Sequence, residues 1–216
     1  MCKFTTIILL CSAFSIFSTQ VWGQNADIDI LRKINSNTAT VGYSKFISNT
    51  VTEVAIGVPV IMGAVGLIEK NDDLLKNALY VGVSIGVDGV LTYGLKHAVN
   101  RTRPSFAYSG DIINRNIAIE NEASLSFPSG HTSLAFTTAT ALSLKYPKWY
   151  IIAPSFLWAG SVGYSRMNLG MHYPTDVLAG AILGAGSAWV TYKINNWFWK
   201  KDGNKKLIGL QAYTCN

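Results

Sequence analysis

The chain has 216 residues, of which 49% are hydrophobic and only 14% charged, and its formal net charge is +6. Soluble domains carry about a quarter charged residues, so this composition, with a mean hydropathy of +0.24, points to a single membrane-associated domain. The cations are spread over loop ends and a tail without an aromatic-interleaved groove, which excludes nucleic acid as a partner, and Cys2, Cys11 and Cys215 make neither a disulfide framework nor a zinc spacing.

In chain order, Lys3, the apolar stretch 4–17 and the mixed run 18–24 predict a secretory signal over residues 1–23, cleaved after Gly23 or kept as an anchor. Cys11 follows Leu10 where a lipoprotein site would want a small residue, so lipidation is not expected. Residues 24–50 are expected to form an external amphipathic segment, with Ile28, Ile30, Leu31 and Ile34 on one side of a short helix and Arg32 and Lys33 on others.

Residues 51–199 hold apolar segments near 51–68, 77–95, 131–145, 149–165 and 176–193, each a borderline membrane span by length. With the first segment they predict an all-α integral membrane bundle of about six apolar helices. The alternative is a set of buried helices in a soluble exported protein. Residues 200–216 read as a basic cytoplasmic tail, preceded by an interfacial aromatic group of Trp197, Phe198 and Trp199. Gly57, Gly63, Gly66, Gly82, Gly86, Gly180, Gly184 and Gly186 are expected to permit close helix packing. Asp88, inside an apolar segment, is a functional candidate by position, and a hydrogen-bonded packing role suits it equally.

Three blocks carry chemistry. Lys96 and Arg103 are seven residues apart and fall on one face of a helix that Pro104 would stop. Pro128, Ser129, Gly130 and His131 precede the apolar run 132–144, so the backbone at a helix N-terminus can approach an anion, with His131 on the rim. Ser165 and Arg166 are followed by His172, and Pro174 opens a helix with Asp176 in its first turn, where a carboxylate could hold one imidazole nitrogen. Three cations, two histidines, a carboxylate and a glycine turn suffice for phosphoryl transfer without a metal.

Singly, each cation is an ordinary headgroup-level charge, each histidine a satisfied structural residue and Asp176 a helix N-terminal charge. A metal triad of His131, His172 and Asp176 is disfavoured because three neighbouring cations would repel a divalent ion. With Lys3 inside, alternating spans place all three blocks on the external face, and ten of the 18 basic residues inside. The polar connection 105–127, with Asp111, Arg115, Glu120 and Glu122, is expected to cover the mouth of the site.

The chain reads K-HAVNRT-RP, PSGH and SR-MNLGM-HYPTD. These motifs resemble the type 2 phosphatidic acid phosphatase superfamily, whose members include membrane lipid phosphatases, vanadium haloperoxidases and secreted acid phosphatases, and every specified position matches. The resemblance implies His172 as nucleophile through a phosphohistidine, Asp176 orienting it, and His131 protonating the leaving group and then activating water. It implies that Lys96, Arg103 and Arg166, with Ser129 and Gly130, bind the phosphoryl oxygens, with no cofactor and no metal. The expected substrate is a lipid phosphate in the bilayer: phosphatidic acid, phosphatidylglycerol phosphate, undecaprenyl pyrophosphate or lipid A. No protein partner is expected, and the expected setting is the cell membrane, multi-pass, with a periplasm-facing site. A vanadate-dependent haloperoxidase, a soluble exported acid phosphatase and a catalytically silent lipid-binding scaffold are the competing functions.

Overall fold

The structure, a computed structural model, describes residues 22–115 and 125–201. All but the last two residues of the signal segment expected over 1–23, all but the first two of the tail expected over 200–216, the three cysteines, Glu120 and Glu122 lie outside the described residues. Those described form seven helices: α1 (Trp22–Ser36), α2 (Val41–Ile68), α3 (Asp72–Val99), α4 (Pro104–Ala107), α5 (Gly130–Lys145), α6 (Trp149–Asn168) and α7 (Pro174–Lys201).

Local chemistry sets several boundaries. Asn71 caps α3 by accepting from the backbone N–H groups of Asp73 and Leu74 at 3.1 and 3.0 Å, and Asp72 and Asp73 add favourable charge to the first turn. α2 begins at Val41, well before the apolar segment at 51–68; the polar stretch 41–50 escapes hydropathy, yet in the helix it turns Ser44 and Ser48 into the protein. α3 ends at Val99, where Asn100 takes a left-handed conformation at φ 50°, a geometry that asparagine tolerates. The expected helix through Arg103 is therefore absent. Pro104 opens α4 rather than closing α3, and Lys96 and Arg103 meet through a bend of the chain instead of along one helical face.

α5 is the central element, packed against α3, α6, α7 and α2. It is lined by small and hydroxyl side chains, with Thr132, Ser133, Ala135, Thr137, Thr138, Ala139 and Ala141 all buried. In a bilayer, helices associate through close packing rather than through apolar transfer from water. α7 meets α5 in that way: a Cβ on Gly180 would stand 2.6 Å from the Ser129 carbonyl oxygen, and one on Gly184 would overlap the Ser133 carbonyl. Gly66 is similarly tight against Leu75, whereas Gly57, Gly86 and Gly186 face open space, so close packing explains only part of the glycine group.

Two apolar clusters fill the bundle: Val51, Ala135, Ala139, Ala159 and Val162 between α2, α5 and α6, and Tyr80, Val81, Ala141 and Ala188 between α3, α5 and α7. A third lies at one end, where Ile28 and Leu31 of α1 meet Ile112 and Tyr173. Ile30 points outward, so the apolar face of α1 is narrower than its sequence suggests.

Among the described residues, three helices are long and apolar enough to cross a membrane: α2, α3 and α7. Their outward faces carry Ile56, Ile61, Val90, Leu178 and Ile182, all exposed, an apolar belt that suits lipid rather than water. Helices α5 and α6 fall short of that standard. α5 is largely covered by protein and does not need continuous apolar sequence, whereas the first half of α6 exposes Trp149, Tyr150 and Leu157.

Candidate active site

The three sequence blocks come together at one end of the bundle, where α3 finishes, α5 begins, α6 finishes and α7 begins. The α6–α7 turn explains how. Leu169 ends α6, Gly170 follows with φ 73°, the Gly170 N–H donates to the Met167 carbonyl at 2.9 Å and the Met171 N–H to the Arg166 carbonyl at 3.0 Å. This is a paired C-terminal capping motif that favours glycine at its left-handed position. A Cβ on Gly170 would also stand 2.5 Å from the Ile113 carbonyl oxygen. His172 leaves this turn almost wholly buried, and Asp176 follows in the first turn of α7.

Arg166 is 1% exposed, donates to Ser48 Oγ of α2 at 2.5 Å, and has a buried Nε without a hydrogen-bond partner. Among the described residues no carboxylate lies within ion-pair distance of Arg166 or Lys96. Lys96 Nζ donates to the Leu125 carbonyl at 3.2 Å. The charges of Arg166, Arg103 and Lys96 and the ring of His172 all act on His131. A buried guanidinium with an unused donor, beside two further cations, is an environment for an anion.

The N-terminus of α5 contributes less than its motif suggests. The Ser129 backbone N–H is already taken by the Asp176 carbonyl at 3.0 Å, and its hydroxyl pairs with Thr132 Oγ1 at 2.9 Å. Ser129 makes no side-chain cap, so the first-turn N–H groups from Gly130 onward have no intrahelical acceptor. Gly130 stands beside Lys96, where a Cβ would lie 3.8 Å from the lysine Cε, whereas Ser129 ties α5 to α7.

Asp176 also sits differently from its expected direct pairing with His172. Its Oδ2 accepts from the Tyr173 N–H at 3.0 Å and from the Ser126 hydroxyl, and Oδ1 accepts from Arg101 Nη1 at 2.7 Å. The nearest imidazole nitrogen, His172 Nδ1, is 3.8 Å from Oδ2, beyond hydrogen-bond reach. Burial, together with Arg166 and Arg103 and against the pull of Asp176, holds the His172 imidazole down to a pKa of about 4, so at neutral pH it is uncharged.

Several participants carried no local signal. Arg101 bridges two carboxylates, reaching Asp27 of α1 at 2.9 Å as well as Asp176, and its guanidinium lies over the Tyr173 ring. Asp27 in turn accepts from the Thr175 N–H at 2.9 Å and its hydroxyl at 2.6 Å, capping α7 from another helix. The described start of the 105–127 connection docks on α1, through Asp111 with Arg32 at 2.6 Å and Arg115 with the Asn35 carbonyl at 2.9 Å. Asp88 lies two turns below Lys96, where Ser133 donates to it at 2.5 Å.

Comparison with known proteins places this geometry. An undecaprenyl-diphosphatase of Sulfolobus acidocaldarius is 29% identical over 128 residues, 57% of this chain and 59% of the relative. A lipid A 4'-phosphatase of Bacteroides thetaiotaomicron is 40% identical over 68 residues, 32% and 30% of the two chains. The chain spans less than two thirds of the length of these curated relatives. Among solved structures, the transmembrane PAP2-type phosphatidylglycerolphosphate phosphatase of Bacillus subtilis superposes with a TM-score of 0.69 at 25% identity, over 91% of this chain and 98% of that one. Aquifex aeolicus LpxE gives 0.57 at 26% identity, over 77% and 94%. The family model of the PAP2 superfamily matches residues 77–200, which hold every motif residue of the site, and the chain belongs to that superfamily.

Proposed function

We propose that the protein is a lipid phosphatase that removes a phosphate from a membrane lipid through a phosphohistidine on His172. The observation that carries this reading is the gathering of Lys96, Arg103, Arg166 and two histidines at one end of membrane-spanning helices, with a buried Arg166 N–H still to be satisfied. An acyl chain can stay in the bilayer while its headgroup reaches these cations.

In the first step, the uncharged His172 attacks phosphorus through Nε2, since Nδ1 faces Ser126 and Asp176. The phosphorus–oxygen bond to the lipid breaks, and His131, protonated once the bound phosphate offsets the neighbouring cations, gives its proton to the departing alkoxide. The three cations and the α5 N-terminus hold the equatorial oxygens as charge builds on them. In the second step, His131 takes a proton from water, whose oxygen displaces His172 and releases inorganic phosphate.

The relatives named for undecaprenyl diphosphate, lipid A and phosphatidylglycerol phosphate give the substrate panel. We place the catalytic bundle at 51–199 with the α2 extension to Val41, the amphipathic α1 outside it, and the site on the external face of the cell membrane. Phosphate release by detergent-purified protein from these lipids, phosphatidic acid and a soluble monoester tests the reading. Release from a lipid that disappears in His172→Ala supports it; no release from any of them refutes it.

A further inference from the structure

We infer that Ser126, a residue outside the three motifs, is the positioning residue that links Asp176 to His172 and fixes which imidazole nitrogen attacks. The inference rests on the phosphatase reading for its meaning, but its geometry is independent of it.

Ser126 is wholly buried. Its backbone N–H donates to the Arg101 carbonyl at 2.7 Å, and the neighbouring Leu125 forms an isolated antiparallel bridge with Thr102. The segment just before the Pro128 motif is thus pinned to the segment just before Arg103, and the Ser126 side chain is pressed between the two groups expected to touch. Its Oγ donates to Asp176 Oδ2 and lies 3.4 Å from His172 Nδ1, while Nδ1 and Oδ2 are themselves 3.8 Å apart.

Proton counting then fixes the arrangement. An ionised carboxylate only accepts, so the Ser126 hydroxyl proton is committed to Asp176, and toward His172 the serine oxygen can only accept. The proton of the neutral imidazole must therefore sit on Nδ1, leaving the lone pair on Nε2. When Nε2 bonds phosphorus, the ring becomes cationic and Nδ1–H donates to a serine oxygen polarised by the Asp176 charge. No proton leaves His172 in this step; the chain Nδ1–H to Oγ–H to Oδ2 stabilises the imidazolium where it stands. Asp176 is kept from closing the gap itself, because Arg101 and the Tyr173 N–H hold its two oxygens.

The test is the imidazole nitrogen spectrum of His172 in detergent-solubilised protein labelled with 15N-histidine, for wild type, Ser126→Ala and Ser126→Thr, with kcat and KM measured on the best lipid substrate. Wild type should show the Nδ1–H tautomer, Ser126→Ala a mixture of tautomers, and Ser126→Thr, which restores the hydroxyl, the wild-type pattern. In parallel, kcat should fall tenfold or more in Ser126→Ala with KM within about twofold, and Ser126→Thr should recover most of it. An Nε2–H tautomer in wild type overturns the inference without any variant. So does an unchanged Nδ1–H tautomer in Ser126→Ala, since Asp176 would then orient the ring alone. A tautomer that follows Ser126 in a protein that releases no phosphate supports the positioning role and sinks the phosphatase reading instead.

Discussion

Arg101 holds Asp176 over 2.7 Å, and the other arm of the same guanidinium holds Asp27 of α1 over 2.9 Å. One cation thus joins the amphipathic helix, the chain before Arg103 and the first turn of α7. Asp27 and Asp176 are both buried, and two buried carboxylates without their cation would repel each other. Arg101→Ala should lower stability by about 3–5 kcal/mol, the usual cost of breaking a buried pair from one side. Arg101→Lys should recover only part, because a point charge cannot fork between two acceptors. Thermal denaturation in detergent reads both, and a melting curve unchanged in Arg101→Ala would show that the clamp holds nothing.

The acid side of the pH–rate profile follows from His172. Its folded pKa of about 4 lies below the ordinary histidine value of about 6.5, so the imidazole proposed as nucleophile stays neutral through mildly acidic pH. Activity should hold to near pH 5 and fall as pH approaches 4. The same depression means that the unfolded chain binds more protons at this position, so stability is intact above about pH 6.5 and declines as pH falls toward 4. A rate that already halves near pH 6.5 through protonation of His172, followed by its nitrogen shifts, would contradict the assignment.

Helix contact between α5 and α7 sets the distance between the α5 N-terminus and His172, the proposed anion site and nucleophile. Gly184→Ala places a methyl against the Ser133 carbonyl and should cost about 1–3 kcal/mol by overpacking. Gly186→Ala, on the same helix with nothing within 4 Å, should be neutral or slightly stabilising. Equal melting temperatures for the two variants would mean that α7 can shift away from α5 at no cost.

The parts of this architecture that are visible in the sequence are those with local patterns. Hydropathy locates the helices, and the fixed spacings of Lys96, Arg103, Arg166, His172 and Asp176 locate the anion site. Extrapolating one spacing failed: seven residues suggest a shared helical face for Lys96 and Arg103, but the left-handed Asn100 breaks the helix between them. The supporting shell is invisible for a different reason. Asp27 meets Arg101 across 74 positions and Thr175 across 148, and nothing near Asp27 distinguishes it from any helical carboxylate. Ser126 lies just before the PSGH motif, yet it is the pairing of Leu125 with Thr102 and of the Ser126 N–H with the Arg101 carbonyl that holds its hydroxyl toward Asp176.

Asp88 takes the hydrogen-bonded packing contact that its place in the sequence allowed beside a functional one. It is buried within α3, and its carboxylate receives the hydroxyl of Ser133 on α5, a link between helices rather than a member of the cation cluster. Asp88→Asn keeps an acceptor for Ser133 and should retain phosphate release within about threefold, whereas Asp88→Leu strands a buried hydroxyl at a cost of about 1–3 kcal/mol. Loss of turnover in a well-folded Asp88→Asn protein would give this residue a part in the chemistry.

The most direct test of the account is to capture the covalent intermediate. Rapidly quenched wild-type protein turning over a 32P-labelled lipid phosphate should carry acid-labile, base-stable label, mapped by mass spectrometry to His172 and absent from His172→Ala. Because the proposed mechanism has His131 activate the water of the second step, His131→Ala should form the label slowly and lose it more slowly still. Label on another residue, or full turnover with no protein-bound phosphate at any quench time, would contradict the phosphohistidine mechanism.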